Sequence, residues 1–388
     1  MTNWKRPWLD VQMAIQSAYG RAVGRSVESL VTPALVVDLE ILERNIALMG
    51  AALAGGPARL RPHTKVQKSP NIARLQIDAG ALGVTVASVW EAAAMGAADI
   101  DDILIANEVI GEEKIAAAAS LAKHINLSMV VDDRRNVQMI SDAFAAAGSH
   151  ANILIDLDVG MGRCGVRSPE QALDLARFTN SLPHLTLKGI QAYEGHCMLE
   201  PDKQIRLQLA HEAMDYAASV KELFAHDGLD APTLSGGGTG TYDITGKNPA
   251  VTELQAGSYV FMDAFHGNLV PGFEISLTVH TTVVARHGDT IILDAGRKSI
   301  GIDFVQPPIY GANYVARYFA EEHALFDVDA GFAATLGDHL RLICGYAPTT
   351  VNLHDVIYVA HGAEIVDVWP VFPRGPSDHG FLRLFESQ

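Results

Sequence analysis

Short apolar runs alternate along this chain with longer stretches whose apolar residues recur at helical spacing. Ala34-Leu35-Val36-Val37-Asp38 predicts a buried strand, and 39–54 predicts a helix with Leu42, Ile46, Met49 and Leu53 on one face. The pair then repeats. A strand over 60–65 precedes a helix over 69–79, with Pro70 near its start, where a missing N–H is tolerated. Strands over 83–87, 103–106, 128–131, 152–157 and 187–193 precede helices over 89–95, 111–123, 134–147, 169–182 and 203–226. Strands at 233–235 and 253–255 close the series. About eight such βα units favour a closed (β/α)8 barrel over the competing doubly wound open sheet.

The texture changes near Pro271. Residues 276–284 are β-branched, and 290–294 follow a His287-Gly288-Asp289 turn, which predicts a hairpin. Further strand signals stand at 340–343, 356–359 and 364–369, with no clear helix between them. The expected organisation is an arm over 1–32, a barrel over 33–272 and an antiparallel β domain over 273–388.

Composition narrows the function. With 48% hydrophobic and 19% charged residues, the chain can bury a sizeable core. A net charge of -16 argues against non-specific nucleic-acid binding. Cys164, Cys197 and Cys344 are scattered and odd in number, which suits a reducing compartment better than a disulfide framework. No signal-peptide core or membrane-length apolar run is evident, so a soluble cytoplasmic protein without membrane partners is expected.

Three segments carry candidate chemistry. Lys65, in Arg61-Pro62-His63-Thr64-Lys65, ends an early strand, where barrel enzymes place catalytic groups. A lysine with a lowered pKa forms a Schiff base with an aldehyde; a surface lysine is the alternative reading. Ser235-Gly236-Gly237-Gly238-Thr239-Gly240 follows a late strand and offers backbone N–H groups and a hydroxyl to an anion; a flexible turn is the alternative. Arg163, in Gly160-Met161-Gly162-Arg163-Cys164-Gly165, can approach a ring or a carboxylate, or be an ordinary loop arginine. Tyr193 ends another strand and either lines the same mouth or packs in the core. An amine, an arginine and a phosphate loop together suit pyridoxal 5′-phosphate.

Pro62-His63-Thr64-Lys65, Gly162-Arg163-Cys164-Gly165, Gln191-Ala192-Tyr193-Glu194-Gly195 and Ser235-Gly236-Gly237-Gly238-Thr239 are jointly specific. On them the chain resembles the fold-type III pyridoxal-phosphate enzymes of the D-threonine aldolase, eukaryotic-type D-serine dehydratase and 3-hydroxy-D-aspartate aldolase group, relatives of alanine racemase. The resemblance implies an alanine-racemase-type barrel, a C-terminal β domain and a homodimer. It implies that Lys65 carries the internal aldimine and that Arg163 faces the pyridine nitrogen. Ser235, Gly237, Gly238 and Thr239 would serve the phosphate, with Tyr193 near the ring and Ser258 and Tyr259 in a neighbouring loop.

The chain departs from the group in one place. Its aldolases and dehydratases usually carry His-x-Asp or His-x-Cys, a divalent-metal pair, before a Pro-Thr-x-Asn stretch. Aligned through Thr350-Val351-Asn352, those two positions read Tyr346 and Pro348, and proline has no side-chain donor. The usual metal site is therefore expected to be missing. His63, His196, Tyr346 and His354 are the candidates to handle a β-hydroxyl instead, with His63 and Tyr346 preferred alongside Lys65. The activity expected first is retro-aldol cleavage of a small D-3-hydroxy amino acid to glycine and an aldehyde. Dehydration, metal-independent racemisation and a cofactor-carrying binding protein are the alternatives. Arg297 and Lys298 are candidates to meet an acidic side chain.

Overall fold

The computed structural model describes residues 3–312, 314–378 and 380–381. After helix α1 (Arg6–Tyr19), strand β1 (Ala34–Asp38) leads into α2 (Leu39–Leu53). Then come β2 (Arg59–Leu60), α3 (Pro70–Asp78), β3 (Val84–Val86), α4 (Val89–Ala97), β4 (Asp102–Glu108) and α5 (Glu112–Leu121). They continue with β5 (Asn126–Val131), α6 (Arg134–Ala147), β6 (Ala151–Asp156), α7 (Pro169–Ser181), β7 (Leu185–Ala192), α8 (Lys203–His226), β8 (Thr233–Gly236) and β9 (Glu253–Leu254). The helices begin where the sequence supplies caps. The side chains of Asp38, Ser88, Asp133, Ser168 and Asp202 accept backbone N–H groups of α2, α4, α6, α7 and α8, each worth about 1 kcal/mol.

Strands β2 to β9 form one parallel sheet in the order β2-β9-β8-β7-β6-β5-β4-β3. The segment after β2 joins its two ends. His63 bridges Thr85 in parallel, Thr64 N–H donates to the Thr85 carbonyl at 2.8 Å, and Thr85 N–H donates to the Pro62 carbonyl at 2.9 Å. The result is the expected (β/α)8 barrel, with every strand's C-terminal end at one mouth. Inside, Leu104, Ala106, Val130 and Leu154 form a small apolar layer. At the N-terminal end of the lumen Arg61 pairs with Glu253 at 3.0 Å and Asp102 at 2.6 Å. Outside, an apolar core including Val84, Ile103, Met129, Ile153 and Phe224 lies between strands and helices.

The second sheet is built from α9 (Ala264–Leu269) onward: β10 (Leu277–His287), β11 (Thr290–Leu293), β12 (Ala316–Phe319), β13 (Ala324–Asp327), β14 (His339–Ile343), α10 (Ala347–Val351), β15 (Val356–His361) and β16 (Glu364–Pro370). Most of its pairs are antiparallel, as the patterning predicts. One expectation is corrected. Strand β1, counted among the barrel strands, lies instead between β10 (antiparallel) and β15 (parallel) in this sheet. Apolar patterning reports burial and not which sheet receives the strand. Strands β12 and β13 were not anticipated, because each has four residues and mixed polarity. The stretch over 1–32 contains the 14-residue α1, and Trp4 and Trp8 are buried in the barrel's outer core. Apolar residues of both sheets, among them Leu35, Leu60, Leu254, Tyr259 and Val279, share one continuous core. No helix among the described residues is long and apolar enough to cross a membrane.

Candidate active site

A cavity of about 440 Å³ opens at the C-terminal mouth of the barrel and continues to the first turns of α9 and α10. Nearly every loop after a barrel strand contributes. Lys65 and His63 follow β2, Ala87 follows β3, and Asn107 is the penultimate residue of β4. Arg163 comes from the loop after β6, Tyr193 from that after β7, Gly237, Gly238 and Thr239 from that after β8, and Gln255 and Ser258 from beyond β9. The opposite wall is Phe265, His266, Phe304 and Tyr346.

Lys65 is half-buried, and no carboxylate among the described residues pairs with it. Burial first, and Arg163 second, pull its amine down to about 8, so about one-tenth of it is neutral at pH 7, far more than for an ordinary lysine. Its Nζ lies 5.5 Å from the centre of the Tyr193 ring, and the Arg163 guanidinium lies 5.6 Å from the same centre. Arg163 itself is solvent-exposed at the rim. His63 is buried, and its Nδ1 accepts the Lys65 backbone N–H at 3.4 Å. Burial, reinforced by the Lys65 charge, pushes this imidazole well below its usual range.

The glycine loop is shaped from behind by Glu194, which has no exposed surface. Its carboxylate accepts Gly237 N–H at 2.9 Å, Thr241 Oγ1–H at 2.7 Å and Thr245 Oγ1–H at 2.5 Å. Gly237 has φ +76°, and a Cβ there would overlap Leu254. Its N–H is therefore committed to Glu194, which corrects the expectation that it points at an anion. Gly238 also lines the cavity, but its N–H donates to Thr241 Oγ1 at 3.2 Å. Thr239 Oγ1 accepts the Tyr259 N–H at 3.0 Å, so its own O–H proton is available to an anion. Gly257 brings its loop against the His63 carbonyl, where a Cβ would sit 2.6 Å from the oxygen.

Two expected cofactor contacts are not at the cavity surface. Ser235 Oγ accepts from Gln255 Nε2 at 2.9 Å, beneath the floor. The Tyr259 ring has no exposed surface, and its hydroxyl accepts from Gln76 Nε2 at 2.7 Å. The floor is a chain of amides and acid: Gln255 Nε2 donates to Gln191 Oε1 at 3.1 Å, and Gln191 Nε2 donates to Asp156 Oδ1 at 2.9 Å. Burial raises the Asp156 carboxyl to about 7, with Glu108 acting in the same direction.

Tyr346 does line the cavity, and burial pushes its phenol up to about 12. His354 and His196 do not. His354 Nε2–H donates to the Ser299 carbonyl at 2.7 Å, and His196 packs its ring against Gly160. Arg297 and Lys298 stay outside, Lys298 paired with Glu322 at 2.6 Å. Beside the mouth, Glu108, Asp132 and Cys164 bring donor atoms within 4.8 Å of one another, with the thiol pushed up to about 11 by burial and then Glu108.

Sequence reasoning missed Glu194, Gln255, Asp263, Phe265, His266 and Phe304. Only Asp263 and His266 leave a local trace, an Asp-x-x-His spacing that puts both on one helical turn.

Residues 37–264 match the family "Alanine racemase, N-terminal domain", and residues 276–360 match "Putative serine dehydratase domain". The chain is 38% identical to D-threonine aldolase of Arthrobacter sp over 353 residues, covering 89% of this chain and 93% of that protein. It is 34% identical to 3-hydroxy-D-aspartate aldolase of Paracoccus denitrificans, covering 91% and 94%. The crystal structure of D-threonine aldolase from Filomicrobium marinum superposes with a TM-score of 0.89 at 32% identity, covering 91% and 98%. D-threo-3-hydroxyaspartate dehydratase from Delftia sp. superposes at 0.85 and 26%, covering 90% and 100%. A mouth with an amine that no described carboxylate pairs, an arginine and the Thr239 hydroxyl on a glycine loop, on this fold, fits the pyridoxal 5′-phosphate expected throughout that family. The chain belongs to the alanine-racemase-like family of D-hydroxy-amino-acid aldolases and dehydratases, and is an enzyme of the lyase kind.

Proposed function

We propose that the protein is a D-3-hydroxy-amino-acid aldolase that cleaves its substrate to glycine and an aldehyde without the metal pair used by its relatives. The observation that carries the reading is Lys65: an amine drawn down to about 8, with no carboxylate partner among the described residues, in a cavity it shares with Arg163 and the glycine loop. Such an amine is ready to condense with an aldehyde. Thr239 and Ser258 would hold the phosphate beside Gly238, Tyr193 would lie along the ring, and Arg163 would sit at the pyridine nitrogen. When bound, pyridoxal phosphate supplies the electron sink for breaking a bond at Cα. The arginine charge opposes protonation of that nitrogen, which shifts part of the work onto groups that handle the β-hydroxyl. The aldolase assignment takes support from the 38% and 34% identities to two aldolases. The metal-free assignment rests on Tyr346 and Pro348, one with a phenol held protonated and the other with no donor. A homodimer with a small amino acid as substrate completes the reading.

The test is a product screen on the pyridoxal-phosphate-loaded protein with D-threonine, D-3-hydroxyaspartate, D-serine and D-alanine, with and without a chelator. The expected result is glycine and acetaldehyde from D-threonine at a rate the chelator leaves unchanged. Keto acid and ammonia would make it a dehydratase, and an inverted enantiomer a racemase. Loss of cleavage on chelation, restored by a divalent ion, would overturn the metal-free assignment.

A further inference from the structure

Asp263 has no exposed surface and gathers three N–H groups. Its Oδ1 accepts the His266 backbone N–H at 2.8 Å and His266 Nδ1–H at 2.8 Å. Its Oδ2 accepts the Ala347 N–H at 2.9 Å, at the start of α10. A carboxylate that only accepts places the imidazole proton on Nδ1 and leaves the Nε2 lone pair free. Among the described residues nothing hydrogen-bonds Nε2, and the ring lines the cavity. Its orientation is fixed on both sides. Tyr346 lies nearly parallel to it, centroids 5.9 Å apart at 18°, and Phe265 meets it edge-on at 5.1 Å and 77°.

The other candidates are less suited. His63 has its Nδ1 engaged by the Lys65 N–H and stands beside cationic neighbours that oppose a second positive charge. Tyr346 keeps its proton at neutral pH. For His266 the nearby charge has the opposite sign: a carboxylate on Nδ1 supports the imidazolium formed when Nε2 takes a proton.

We propose that His266 is the base that removes the proton of the substrate's β-hydroxyl, with Asp263 as its positioning residue. This rests on the retro-aldol reading of the site. In the step, the O–H proton passes to Nε2 and the oxygen lone pair becomes the second bond of the aldehyde carbonyl. The Cα–Cβ bond breaks and its electron pair stays with Cα, for which bound pyridoxal phosphate would supply the electron sink. A proton then returns to Cα to give glycine, and His266 releases the one it took. One hydroxy amino acid yields one aldehyde and one glycine, with no further reactant.

The experiment compares two reactions of the loaded protein: cleavage of D-threonine, and exchange of the glycine α-proton in heavy water followed by proton NMR. The second needs Cα–H chemistry and no hydroxyl base. In His266→Gln the ratio of cleavage to exchange is expected to fall about 100-fold, within the range of a lost general base. In Asp263→Asn, whose amide can donate to Nδ1 and move the proton to Nε2, the ratio falls about tenfold or more. In the cofactor-free protein labelled with nitrogen-15 histidine, the signals lost in His266→Gln are expected to report an Nδ1-protonated ring. An unchanged ratio, a parallel fall of both rates, or an Nε2-protonated ring overturns the proposal. Absence of both reactions in the unaltered protein, with the absorbance of a lysine-bound aldehyde also missing, overturns the retro-aldol reading and the proposal with it.

Discussion

Arg61 and Lys65 stand on one short segment, at opposite ends of the same barrel lumen, and they live under opposite electrostatic regimes. Arg61 has two carboxylates, Glu253 at 3.0 Å and Asp102 at 2.6 Å. Burial works against its charge, yet those partners more than offset it, and its pKa is raised. Lys65 has burial and Arg163 against it and only the more distant Glu91 in its favour, and its pKa is lowered to about 8. At the N-terminal end of the lumen the cation is held by carboxylates; at the C-terminal mouth the amine has none among the described residues, as its proposed Schiff-base role requires. Perturbed groups in a cleft are the usual mark of a reactive centre, and here the paired end of the same lumen is the control.

The comparison breaks most severely at Lys65. Lys65→Ala is expected to lower cleavage at least about 1000-fold, because the nucleophilic amine is gone. Absorbance near ~420 nm that borohydride abolishes should vanish with it. The variant should unfold no earlier than the unaltered protein in a thermal melt, since no ion pair is lost. Arg61→Met should do the reverse, leaving Glu253 and Asp102 without their cation. The expected loss is about 3 kcal/mol in a denaturant titration, at the lower end for a broken buried pair because Asp102 is partly exposed. The Lys65 aldehyde adduct should still form in whatever fraction folds.

A pH titration sharpens the contrast. Between about pH 8 and 10.5 the folded Lys65 amine is neutral while the unfolded one still holds its proton. Unfolding then takes up a proton, so stability rises with pH across that window and levels off above it, by at most about 3 kcal/mol. Subtracting the curve for Lys65→Met from that of the cofactor-free protein isolates this rise; a flat difference would show that the amine is not depressed. The smallest effect is expected at Lys298→Ala. Its partner is the exposed Glu322, outside the cavity, so cleavage of any substrate should change by less than about twofold.

Residue patterns gave away the barrel and much of its mouth. The helical predictions over 39–54, 134–147 and 203–226 match α2, α6 and α8 closely, because those segments are long and capped. Lys65, Arg163, Tyr193, Gly238 and Thr239 could be read because each follows a strand, and parallel strands gather their C-terminal ends. What stayed hidden depends on contacts distant in sequence. Glu194 looks like any acidic residue until three donors from 237–245 converge on it. The wall of Phe265, His266, Phe304 and Tyr346 joins segments on both sides of β10, and no local period announces that meeting. Ser235 and Tyr259 were expected at the surface of the site because they neighbour it in sequence; period-two alternation turns the side chain of Ser235 beneath the floor.

The insertion of β1 between β10 and β15 has a consequence for synthesis. During translation, Ala34–Asp38 leaves the ribosome long before either neighbour exists, since β10 begins at Leu277 and β15 at Val356. A nascent or clipped chain ending before Leu277 carries an apolar strand with both edges bare, a target for chaperones, proteases and self-association. Only a chain translated through β15 can shelter that strand, so quality control of this enzyme is expected to recognise premature termination products by their beginning rather than their end.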